Sequence, residues 1–202
     1  MDKKSMFLEI KAYLIHINFA NNCLDAYMSL FKNMQINNDI LNKAPGFFLI
    51  SKYALSKCVI LEYAKLFCGS GDQKTINKLL NNVKAHANIF PKGEAMKIFN
   101  RFDAYLHNDL KEIIDCLTVR RNKDLAHNDP KYFYGTNNPA EDNYISPEEL
   151  VKLYDFCFEL CESLLELLDG YEKVILCNGA NDFDDFVEEY CQLKIKYARL
   201  TC

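Results

Sequence analysis

One stretch of this 202-residue chain carries side chains suited to phosphate chemistry: Arg121-Asn122-Lys123-Asp124-Leu125-Ala126-His127, preceded by Arg120. It sets permanent cations, an amide and a titratable imidazole within about two helical turns. Arginine grips phosphate oxygens with a planar fork, and histidine is the side chain whose ordinary pKa lies nearest neutrality. Together they can hold a phosphodiester and move its protons, and the motif itself offers no metal-ligand cluster. The plain alternatives are a core histidine, or an imidazole at a helix end held by the dipole.

The heptapeptide resembles the signature of the HEPN superfamily, small helical domains marked by an arginine, a polar residue that is often asparagine, and a histidine a few residues on. Its R-N-K-x-x-A-H form is similar to that of the abortive-infection (AbiU-type) branch. Upstream, the apolar pattern from Ala54 through Cys58, Leu61 and Ala64 to Phe67 resembles the helix that this branch places before its motif. The resemblance implies an all-α fold, an antiparallel four-helix core with additional helices. It also implies a homodimer whose facing arginines and histidines cleave RNA without metal or cofactor, in host defence or a toxin system. In that scheme His127 transfers protons at the ribose 2′-hydroxyl or leaving oxygen, Arg121 stabilises the phosphorane charge, and Asn122 orients the pair. Arg120 and Lys123 join as contacts to substrate. The alternative that the resemblance leaves open is a noncatalytic HEPN module binding RNA, a nucleotide or a partner protein. An antitoxin or regulatory protein is a further candidate partner.

Helix geometry sharpens the choice of arginine. On a regular helix residues seven apart nearly eclipse, so Arg120 lies above His127, whereas Arg121 is displaced by about a third of a turn. Either the helix is distorted here or Arg121 works across the dimer. Arg120 otherwise reads as a surface cation or the partner of an acid such as Glu112 or Asp124. One motif supplies one imidazole, and acid and base work in two steps is easier with a pair, which also favours a two-fold dimer.

Composition limits the rest. The net charge of −4 argues against a domain coated in Lys and Arg for nonspecific nucleic-acid binding, so any RNA contact must be local. Half the residues are hydrophobic, with 14 Phe and 12 Tyr, enough for a sizeable core without metal or disulfide. The nine cysteines are an odd number and read as small buried side chains of a reducing compartment. Cys157 and Cys161 share a helix face with no histidine nearby in sequence, so packing outweighs a metal site. Glu9 and Lys11 interrupt the first apolar run far short of a membrane span or signal core. The chain therefore reads as one cytoplasmic domain over residues 1–202, with the motif at 121–127, a C-terminal helical pair over 147–200, and no membrane partner.

The elements that must position the motif follow from periodicity. Apolar residues from Phe7 to Phe31 predict a long first helix, about 5 to 33. A second starts near Pro45 and runs to Cys68, with Ile50, Tyr53, Ala54, Leu61, Ala64 and Leu66 inward. Gly69-Ser70-Gly71 stops it, and Thr75 to about Asn88 reads as a short third helix. A fourth pattern begins at Glu94, with a candidate break at His107-Asn108-Asp109, and carries the motif at its C-terminal end. Lys131 to Ser146 reads as a loop whose Tyr132, Phe133 and Tyr134 suit either base stacking or cover for the core or the partner subunit, with Tyr132 and Tyr134 taken as substrate contacts. Ser146-Pro147-Glu148-Glu149 is a capping box that opens the fifth helix, with Leu150, Leu153, Tyr154, Cys157, Cys161, Leu164, Leu165 and Leu168 on its apolar face and Gly170 closing it. The last helix, about 182 to 200, opens on Asp184, Asp185, Glu188 and Glu189, read as a solvated acidic turn. The predicted bundle core comprises the first, second, fourth and fifth helices.

Overall fold

The computed structural model describes residues 1–36, 42–69, 74–126, 139–168, 184–185, 187–189 and 192. Their order is α1 (Lys3–Ile36), α2 (Pro45–Phe67), α3 (Ile76–Ala85), a 3-10 turn (Ala87–Ile89), α4 (Glu94–Asn108), α5 (Lys111–Arg120), a π-helical turn (Arg121–Ala126), α6 (Pro139–Asp142) and α7 (Pro147–Glu166). No strand occurs among the described residues, and the fold is all-α as the periodicity implies.

Contacts along the chain divide it into two compact units. The first comprises Met1–Asn21 and Ile60–Leu176. Its α1 segment buries Met6, Ile10, Tyr13, Leu14, Ile17 and Ala20, a stripe at spacings of three and four. Each large side chain of the stripe taken fully from water contributes about 1.5–3 kcal/mol. Thr75 caps α3 by accepting from the Lys78 amide, and Ile76, Leu79, Leu80 and Val83 turn inward as that helix packs on α4. Phe156 of α7 anchors the aromatic centre, with ring centroids 5.4 Å from Phe102 and 6.3 Å from Phe67.

The break at residues 107–109 is present: α4 ends at Asn108 and α5 starts at Lys111. The capping box at the head of α7 is complete. The Ser146 amide donates to Glu149 Oε2 at 2.7 Å and the Glu149 amide to Ser146 Oγ at 3.1 Å, with Pro147 in the first turn. All the apolar positions read for this helix are buried except Tyr154, which is half-buried. The predicted close at Gly170 lies outside the described residues.

The second unit comprises Asn22–Val59 and Cys177–Cys202. Among its described residues, Cys23, Leu24, Leu30, Phe48, Val59 and Val187 are the buried apolar side chains. The Cys23 and Cys58 sulfurs lie 3.6 Å apart as free thiols. Asp185, Glu188 and Glu189 are exposed, as read for a solvated acidic turn, and Asp184 is half-buried. It accepts from Ser29 Oγ at 2.7 Å and from Asn33 Nδ2 at 2.6 Å, and the Ser29 hydrogen bond above all holds its carboxyl below the ordinary value.

The inward face read for α2 is corrected. Ala64 and Leu66 are buried, but Ile50 is 71% and Tyr53 65% exposed, Ala54 is exposed and Leu61 is 39% exposed. Phe48, Val59, Ile60, Tyr63 and Phe67 turn inward instead. The helix is apolar around most of its circumference, so periodicity alone cannot choose its buried side.

Candidate functional site

Why the motif sits where it does begins with α5. Leu110, Ile113 and Leu117 recur at spacings of three and four and are buried, and the next position on that stripe is Arg120. Its side chain follows the stripe into the core and is 9% exposed. This corrects the surface-cation reading: the aliphatic stem packs like an apolar residue.

After Arg120 the winding changes. Arg121–Ala126 form a π-helical turn, so the winding after Arg120 is not that of a regular α-helix. The Arg121 amide, at the junction, is shared between the Leu117 and Thr118 carbonyls. Such widened turns occur frequently at functional sites, because they reset the direction of the side chains that follow. The short helix α6 lies against both α5 and this turn.

Arg121 and Asn122 are brought together. Both are half-buried, and Arg121 Nε donates to Asn122 Oδ1 at 3.0 Å. Arg121 Nη1 donates to the Cys68 carbonyl at 2.5 Å. Cys68 directly follows α2, whose last carbonyls have no partner within the helix, so the guanidinium both satisfies one such oxygen and sits at the negative end of the helix dipole. The orienting role assigned to Asn122 thus has a physical counterpart, a fixed amide oxygen on the guanidinium edge. Lys123 is exposed on the same turn. His127, Tyr132 and Tyr134 lie outside the described residues.

The Cys68 thiol beside Arg121 is no candidate nucleophile. Burial pushes its pKa up, against smaller lowering effects of Thr118 and Arg121. Cys157 and Cys161 are fully buried free thiols, and burial raises the Cys157 thiol well above its ordinary value. Among the described residues no three His, Cys, Asp or Glu side chains gather as a metal set. No helix among them is long and apolar enough to cross a membrane.

Sequence reasoning did not find a cavity of about 760 Å³ with Arg121 in its wall. Its other walls come from the start of α1, the end of α2, and Lys74. The available signal was faint: Leu8 and His16 fall off the buried stripe of α1, and only the fold reveals what they face.

No curated protein and no solved structure matches the chain. The family model for HEPN AbiU2 proteins, described as AbiU2, matches residues 8–193. That span includes the buried stripe of α1 from Ile10 onward, the apolar α2, the Arg-Asn motif and the capped α7, and it shows that the chain belongs to the HEPN superfamily, in its AbiU-type abortive-infection family.

Proposed function

We propose that this protein is a metal-independent endoribonuclease of host defence, acting as a homodimer whose cleft is built from Arg121, Asn122 and His127 of both subunits. The observation that carries the reading is the Arg121–Asn122 pair. A half-buried guanidinium with its Nε edge fixed by an amide oxygen is pre-oriented to meet the charge that develops on a phosphorane, and that fixed geometry is what transition-state stabilisation requires. His127 supplies the proton transfers, at the 2′-hydroxyl and the leaving oxygen. Lys123 adds a surface charge for phosphate approach, and Tyr132 and Tyr134 offer faces for bases. Arg120, buried immediately before the π turn, is not among the substrate contacts in this reading.

The bond from Arg121 to the Cys68 carbonyl favours a second reading, a noncatalytic module that binds RNA, a nucleotide or a partner such as an antitoxin. There Arg121 serves to close α2. Light scattering at micromolar concentration separates the readings at their first divergence. The composite site requires about twice 23.4 kDa, and a strict monomer over that range removes it and leaves the binding module.

A further inference from the structure

The cavity beside Arg121 has a composition of its own. Leu8, Ala12, Tyr13, Leu61 and Leu66 give it a mostly apolar wall, and its 760 Å³ falls within the usual range of small-molecule sites. Its other charged side chains are already matched. Lys74 meets Glu9 at 2.9 Å and Lys65 meets Glu62 at 2.6 Å. Tyr13 is occupied too, its hydroxyl donating to the Thr75 carbonyl at 2.9 Å.

Arg121 is different. Among the described residues its hydrogen bonds go to two neutral oxygens, of Cys68 and Asn122, and no carboxylate pairs with it. A guanidinium carries five N–H donors, so most of its donor capacity is unspent. A cation with no carboxylate on it among the described residues, beside an apolar wall, attracts an anion strongly, because the local dielectric is low and a charge-assisted bond there is about twice as strong as a neutral one.

We propose that this cavity binds a small amphipathic anion, an alkyl or aryl body with one carboxylate, sulfonate or phosphate head, the head on Arg121 and the body against Leu8, Ala12, Leu61 and Leu66. A nucleotide fits less well. A base brings several donors and acceptors, and with Tyr13, Glu9 and Glu62 committed, the wall has only Ser5 and His16 to meet them. A bound head group competes with RNA phosphate for the same guanidinium, so the ligand is an inhibitor under the ribonuclease reading; binding itself does not depend on that reading.

The test is displacement of 8-anilinonaphthalene-1-sulfonate fluorescence from the full chain without RNA, at neutral pH. Decanoate should displace the dye at concentrations about tenfold lower than decanol, the difference being one charge-assisted contact, and AMP should be weaker than decanoate. Ala12→Trp, which fills the cavity, and Arg121→Gln, which removes the charge, should each raise the decanoate concentration needed by about tenfold or more. If circular dichroism shows Ala12→Trp misfolded, Leu8→Asp at a half-exposed wall position carries the same expectation by placing a negative charge there. Equal displacement by decanol, AMP matching decanoate, or binding indifferent to the variants would each overturn the proposal. The first would leave only an apolar patch, the second a nucleotide site, and the third a site elsewhere.

Discussion

The Arg121 guanidinium lies 2.5 Å from the main-chain carbonyl of Cys68, so the residue that opens the motif also closes α2. One side chain thereby answers to two demands. The helix end needs a donor and a positive charge, and the proposed chemistry needs a rigid cation; Asn122, bonded to Nε, leaves the guanidinium little freedom to swing between them.

That double duty has a measurable cost. Arg121→Ala should lower stability by about 1–2 kcal/mol, from a lost charged hydrogen bond and dipole contact. Arg121→Lys should recover part of it, since lysine supplies the charge without the fork. Urea unfolding monitored by circular dichroism checks the pair. An Arg121→Ala midpoint equal to that of the parent chain would show that the Cys68 contact contributes nothing.

Arg120 should behave as a core residue. Its truncation to alanine removes buried side-chain volume, at a cost of about 2–4 kcal/mol. Arg120→Met refills most of the stem and should cost clearly less. The same unfolding measurement decides it: Arg120→Ala and Arg120→Met indistinguishable from the parent would place the side chain at the surface.

Much of this was legible in the chain, and most of what was missed depends on neighbours distant in sequence. Ser146, Pro147 and Glu149 announce their helix because a capping box is local chemistry. The break after Asn108 is marked by local polar residues. The eclipse of Arg120 and His127 on a regular helix raised distortion as one option, and the π turn supplies it. The burial of Arg120 was also there to be read, since it continues the stripe of Leu110, Ile113 and Leu117, but its charge outweighed its position. Ile50 and Tyr53 were misplaced because α2 offers apolar residues on nearly every side. Which side is buried is decided by neighbours distant in sequence. The hydrogen bonds of Asp184 to Ser29 and Asn33 span more than 150 residues, and no local pattern encodes them.

Asp184 predicts a pH response with a definite sign. Its carboxyl is held below the ordinary value of 3.8, so the charged form is the one the fold favours. The associated stability is fully present above that ordinary value and is lost as pH falls through the lower folded-state value. Asp184→Asn should therefore lower the urea midpoint at neutral pH and converge with the parent chain in strong acid. A gap of constant size from neutral to acid pH would assign the effect to packing.

The central claim is tested most directly by single-turnover cleavage of a labelled RNA in excess EDTA, comparing the parent chain with His127→Ala. The account predicts that the parent cleaves under chelation. It predicts that His127→Ala keeps its helicity, its dimer and nearly all its RNA affinity while cleavage falls by at least about 100-fold, the usual worth of a positioned acid or base. Cleavage that disappears in EDTA and returns with a divalent ion, or that is unchanged by His127→Ala, would contradict it.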